Sequence, residues 1–118
     1  MDILSISEFE KEFKDILKKH KRDAKKLSEG FAHLLVVLSK QGERVLIDPH
    51  FKKLKGSENL YRMAISRKRL NIRVIFAFHE DEIVLLSAFE EKKKSDYELF
   101  VEKAKKRYKR YFEGGNMR

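Results

Sequence analysis

Three apolar runs follow one another in the second half of the chain, and they constrain the fold more than anything else in it. They are LYRMAIS (60 to 66), NIRVIFAFH (71 to 79) and EIVLLSAF (82 to 89). Each is rich in β-branched, aromatic and aliphatic residues and has the length of a strand rather than a helix. The connections between them, around RKRL (67 to 70) and at Glu80-Asp81, are only a few residues long. A parallel return needs a crossover of a dozen or more residues, so three such strands form an antiparallel meander.

Helical patterns flank these strands. Ile6, Phe9, Phe13, Ile16 and Leu17 recur at helical spacing up to about His20. Either Ser5 with Glu8 or Ser7 with Glu10 fits the capping-box spacing for its start, and Leu4 with Phe9 fits a hydrophobic staple. A second stripe, Ala24, Leu27, Phe31, Leu34, Leu35 and Leu38, runs from about Asp23 to Lys40, with Gly42 as its stop. The short connection makes the two a helical hairpin. The DILSI stretch (2 to 6) reads as a short edge strand before it. Residues 43 to 55 hold the only proline, Pro49, and read as a loop with an extended piece. A last helix opens at Ser95, with Glu98 three residues on. It carries Tyr97, Phe100, Val101, Ala104, Tyr108 and Tyr111 on one side, and Lys103, Lys105, Lys106, Arg107, Lys109 and Arg110 on the other. The expected architecture is α+β: an N-terminal helical hairpin, a three-stranded antiparallel meander and a C-terminal basic helix. It forms a single domain over residues 1 to 118, with the tail from 114 to 118 frayed.

Arg62 and Arg73 interrupt the first two runs. Side chains alternate across a strand. If Ser66 pairs with Asn71, Arg62 stands opposite Ile75 and Arg73 opposite Ala64, and both guanidiniums leave the same face. A one-residue slip separates them. Side by side they form a site for a planar, bidentate anion such as phosphate. The competing expectation is that each pairs with a carboxylate from Glu58, Glu90 or Glu91. Lys92, Lys93 and Lys94 leave the sheet just before Tyr97, and cations beside an aromatic ring suit a nucleic-acid strand.

Charge supports that direction. Residues 1 to 50 carry 10 basic and 9 acidic side chains, whereas residues 51 to 118 carry 18 and 10. A field of this sign attracts polyanions. The chain has no cysteine, which excludes disulfides and thiolate chemistry. Its four histidines, His20, His33, His50 and His79, show no metal-binding spacing. There is no P-loop or dinucleotide fingerprint, and no apolar run long enough for a bilayer. The opening MDILSISEFEKEF lacks the features of a signal peptide. A cytoplasmic protein without metal, cofactor or membrane is the expectation.

The ordered series from FKKLKG through LYRMAIS, NIRVIFAF and IVLLSAF to EEKKKS, residues 51 to 95, resembles the RelE/ParE superfamily of toxins from type II toxin–antitoxin systems. It is most similar to the HigB and phage Gp49-like branch. The resemblance implies a RelE-like fold and a metal-independent, ribosome-dependent mRNA endonuclease, in which the 2′-hydroxyl attacks the adjacent phosphate. It also implies a cognate antitoxin, with the ribosome and mRNA as the other partners. By position, Arg73 matches the arginine that holds the scissile phosphate, and Arg62 a basic residue of the preceding strand. Lys92 or Lys94 falls where a cation stabilises the leaving group, and Tyr97 near an aromatic that stacks on a base. Lys55, Lys68, Arg69 and Lys93 join Tyr97 as candidate RNA contacts. Two positions depart from the pattern. Ala64 stands where several relatives carry a second basic residue, and Ser87 where the HigB-like branch often has a histidine.

Two other functions fit the same residues: a ParE-like inhibitor of DNA gyrase that cuts no RNA, and a catalytically impaired relative that binds only an antitoxin. An antitoxin covers the arginine face or lays a helix along Ile75, Val84 and Leu86, unless the last helix already covers them. His79, at a strand end on the arginine face, reads as a surface turn residue rather than a base.

Overall fold

A computed structural model describes residues 1–57 and 59–113, with the Glu113 side chain outside the description. The elements run β1 (Asp2–Ser5), α1 (Ser7–Lys19), α2 (Ala24–Gln41), a 3₁₀ helix (Gly42–Ile47), β2 (Phe51–Lys53), β3 (Leu60–Arg67), β4 (Leu70–His79), β5 (Glu82–Glu90) and α3 (Lys94–Tyr108). A π-helical turn (Lys109–Glu113) ends the described chain. Glu58, one of the expected carboxylate partners, and the tail from 114 to 118 lie outside the described residues.

The meander forms as β3–β4–β5, but the sheet is larger than expected. It has five strands in the order β1-β5-β4-β3-β2, with β1 parallel to β5 and the other pairs antiparallel. This corrects the three-stranded reading. The missing strand, β2, is three residues long and pairs with residues about ten positions downstream. So short a piece shows no alternation to read.

The two hairpin turns agree with expectation. Arg67 pairs with Leu70 and His79 with Glu82, which leaves two-residue loops. Lys68 and Glu80 adopt positive φ there, both at 56°, a conformation unfavourable for residues with a Cβ. At the end of α2, Gly42 has φ 59° and its N–H bonds to the Leu38 carbonyl. That is the glycine stop read from the sequence.

The helix starts differ from the patterns. Among the described residues no side chain caps α1; the Ser5 hydroxyl instead donates to Glu10 at 2.5 Å, and Leu4 stays exposed. At α3, Asp96 replaces Ser95 and Glu98 as the capping residue. Its carboxylate accepts the N–H groups of Lys92 and Lys93 at 3.1 Å each. A carboxylate there also suits the positive end of the helix dipole.

α1 and α2 meet through Phe9, Phe13 and Phe31, whose closest ring centroids are 4.6 Å apart. α1 packs on β5 and α2 on β3. Tyr61, Phe51, Phe76 and Phe78 form one aromatic cluster within this core. α3 lies over β5 and β4. Its Phe100 stacks on Phe89 at 4.6 Å with planes 3° apart, and Ala104 is fully buried.

β1 stops at Ser5, so β5 continues past its neighbour with open backbone groups. Glu12 fills that gap. Its carboxylate accepts the Ala88 N–H at 3.1 Å and both terminal nitrogens of Arg107 at 2.8 and 2.9 Å, while Arg107 also donates to the Leu86 carbonyl at 2.9 Å. Arg107 is therefore part of the packing, not of an open basic face. Arg110 pairs with Glu8, and Lys105 with Glu102. Tyr111, expected on the buried side, is 40% exposed.

Candidate functional site

The register of β3 and β4 decides where the two arginines point. Ser66 pairs with Asn71, Arg62 with Ile75 and Ala64 with Arg73. Across the sheet, Lys52, Arg62, Ile75 and Ser87 form one row, and Ala64, Arg73 and Phe89 the next. Arg62 and Arg73 therefore share a face as diagonal neighbours, a spacing of about 7–8 Å between strands.

That face is not open along its whole width. Ile75, Val84, Leu86 and Ser87 are completely buried. The apolar positions expected to receive an antitoxin helix are thus already covered, as α3 packs on β5 and β4. A bulge between Ile75 and Phe76 also shifts the β4–β5 register there. Toward β2 and the β3–β4 turn the face opens: Lys52, Ser66 and Asn71 are exposed, and Arg62, Ala64 and Arg73 are half-buried.

The two arginines have different surroundings. Arg73 donates from Nε to Glu91 Oε1 at 2.9 Å, with 16% and 28% of the two side chains exposed. The carboxylate expectation thus holds for Arg73, and Glu91 is its partner. Arg62 pairs with no carboxylate among the described residues. Its Nη2 reaches the Pro49 carbonyl at a long 3.4 Å, and its buried Nε has no hydrogen-bond partner among those residues. Burial holds its proton affinity below the ordinary value, and Arg73 adds to that effect while Tyr97 and Glu91 oppose it. Burial likewise pushes the Tyr97 phenol above its ordinary 10.0; Glu91 adds to the rise, and Arg62 and Arg73 oppose it. Arg62, Arg73, Glu91 and Tyr97 are thus one electrostatic cluster. Tyr97 enters it from the first turn of α3, its ring edge-on to Phe89 at 5.9 Å.

Beside this cluster a groove of about 590 Å³ runs between β2 and α3. Lys52, Lys53 and Lys55 form one wall, and Tyr97, Glu98, Val101 and Glu102 the other. Lys52 is the cross-strand neighbour of Arg62. Three exposed ammonium groups therefore line this groove, opposite the Glu98 and Glu102 carboxylates, and Lys52 sets it next to Arg62. Lys52 and Lys53 are absent from the sequence-based candidates because the strand that positions them has no pattern of its own.

The other expected residues lie elsewhere. Lys92 lines a separate cleft between α1 and α3, together with Asp15, Glu90 and Lys103. Lys93 and Lys94 are exposed at the start of α3. Lys68 reaches Asp23 at 3.7 Å and Arg69 is exposed on the same turn, six or more residues along the strand from Arg62. At about 3.3 Å per residue that is some 20 Å away. His79 sits against Tyr108, at 3.2 Å from Nδ1 to the hydroxyl, and against the Phe112 ring, remote from the arginines. Ala64 flanks Arg73 as the register requires, and Ser87 is buried, its hydroxyl without a partner among the described residues.

Among the described residues, no helix is long and apolar enough to cross a membrane. No curated protein and no solved structure gives a significant match to the chain. A family model does match, that of the phage-derived protein Gp49-like family (DUF891), over residues 9–109. The match takes in α2, the 3₁₀ helix, strands β2 to β5 and α3, together with nearly all of α1, and the chain belongs to the phage-derived Gp49-like family.

Proposed function

We propose that this protein is the toxin of a toxin–antitoxin module, a RelE-like endoribonuclease that cuts mRNA on the ribosome. Membership of the Gp49-like family is consistent with a component of such a module. The observation that carries the nuclease reading is Arg62. A half-buried guanidinium that has, among the described residues, one weak bond and no partner for its Nε, with a second arginine diagonal to it, is costly in the free protein. A phosphate bridging Arg62 and Arg73 repays that cost with charge-assisted hydrogen bonds.

In this reading the RNA backbone follows the groove along Lys52, Lys53 and Lys55. Arg62 and Arg73 take the scissile phosphate and offset the charge that builds on its oxygens as the 2′-hydroxyl attacks. Tyr97 offers a ring edge beside the phosphate. The product is a 2′,3′-cyclic phosphate on one fragment and a 5′-hydroxyl on the other. The antitoxin occupies the β2–β3 side of the sheet face, since α3 packs over β5 and part of β4.

The Arg73–Glu91 pair favours a second reading, a relative that binds its antitoxin without cutting RNA. One experiment separates the two. The protein is induced in cells without its antitoxin, and RNA 5′ ends are mapped. The nuclease reading expects cuts at fixed codon positions that disappear with Arg73→Ala and with Arg62→Ala. Induction without new RNA ends rejects it.

A further inference from the structure

The cluster around the two arginines contains a fourth group that the proposed function leaves without work. Guanidiniums stay charged in proteins and cannot accept a proton. The Tyr97 phenol keeps its proton at neutral pH, because burial raises its affinity. That leaves the Glu91 carboxylate as the one member of the four built to accept a proton.

None of the four histidines takes that place. His20 pairs with Glu90 at 2.8 Å, His50 with Asp48 at 2.8 Å, and His79 with Tyr108. His33 lines a small cavity beside Asp48.

Glu91 is held beside Arg73. Its N–H donates to the Asn71 carbonyl at 2.8 Å, which extends the β4–β5 ladder and fixes its backbone beside Arg73. Its side chain meets Arg73 through a single oxygen, Oε1, rather than through a forked pair. Among the described residues nothing donates to Oε2. A carboxylate serving only to neutralise Arg73 gains most from the forked geometry. The single contact instead orients the group and leaves an oxygen available.

We propose that Glu91 is the general base of the cleavage, accepting the 2′-hydroxyl proton of the RNA held by Arg62 and Arg73. The inference rests on the endonuclease reading. A Glu91 oxygen takes the proton as the 2′ oxygen bonds to phosphorus. The bond from phosphorus to the 5′ oxygen breaks, and that oxygen leaves with its electron pair and takes a proton from water. The hydroxide so formed recovers the proton from Glu91, which restores the carboxylate.

The test uses Glu91→Gln, which keeps the shape and an oxygen for Arg73 but removes the basic carboxylate, and Glu91→Asp, which keeps the carboxylate on a shorter arm. Single-turnover cleavage of a short mRNA is followed on programmed ribosomes. Binding is measured with the same mRNA bearing a 2′-O-methyl group at the cleaved nucleotide. Glu91→Gln is expected to cut about 10²- to 10⁴-fold more slowly while binding is retained. Glu91→Asp falls between it and the unmodified protein. A Glu91→Gln protein that cuts as fast or faster overturns the inference, reduces Glu91 to a counter-charge for Arg73, and leaves the endonuclease reading intact. An unmodified protein that cuts nothing removes that reading, and the base with it.

Discussion

Replacing Arg62 by methionine should make the protein more stable while removing its grip on RNA. Methionine keeps most of the unbranched stem and removes the guanidinium. In the free protein that group has one bond at 3.4 Å and a buried Nε with no partner among the described residues. An unsatisfied buried donor costs about 1–3 kcal/mol. Arg62 is only partly buried, so water offsets some of this, and about half that range, roughly 0.5–1.5 kcal/mol, is the expected gain. Relief of repulsion with Arg73 acts in the same direction. For a chain of this size each kcal/mol moves Tm by about 3–6 °C, so the variant should melt several degrees higher. Thermal unfolding followed by circular dichroism reads this directly. A short RNA added in excess should raise the Tm of the unmodified protein and leave that of Arg62→Met unchanged. A variant that melts lower than its parent would refute the reasoning, since Arg62 would then be holding the fold together.

Three further outcomes follow from the geometry. Glu12→Ala or Arg107→Ala breaks a mostly buried pair that also closes the free edge of β5, and should cost about 2–4 kcal/mol in urea unfolding. A double variant that loses much less than the sum of the two would show the coupling. Replacing Lys52, Lys53 and Lys55 together by glutamine should weaken RNA binding and flatten its salt dependence. On a single strand the log–log slope should fall by about 0.7 for each phosphate that is no longer neutralised. An unchanged slope would place the RNA elsewhere. Tyr61 and Tyr97 are both held above the ordinary tyrosine value by burial. The folded state then binds more protons than the unfolded one, so their contribution is full below about pH 10 and fades as pH rises through the folded values. Absorbance at 295 nm should show Tyr61 and Tyr97 ionising late, and Tyr97→Phe should reduce that late part of the signal.

Much of this structure was legible in the residues, for reasons that differ from element to element. The β3–β4 register followed from one assumption, a two-residue loop in RKRL, because alternation fixes every other side chain once the turn is set. α1 and α2 followed from their apolar period. β1 and β2 were weak or invisible because strands of four and three residues are stabilised by their neighbours rather than by their own pattern. With β2 unseen, Lys52 and Lys53 could not be placed opposite β3, although the same stretch supplied Lys55. Lys92 illustrates the reverse case. It lies close in sequence to Tyr97, yet α3 turns the two toward different clefts. Arg107 looked like one more cation on a basic helix, and nothing local to it indicated Glu12, 95 residues away.

The central claim is that Arg62 and Arg73 together receive an RNA phosphate. The most direct measurement is the ¹⁵N–¹H signal of the arginine Nε groups by NMR as a short RNA is added. Binding at the proposed site moves the Arg62 and Arg73 Nε–H resonances together and slows their exchange with water, while Arg107, tied to Glu12, stays still. Saturation with RNA that leaves both signals unmoved and shifts residues of the Lys68 turn or the α1–α3 cleft instead would contradict it.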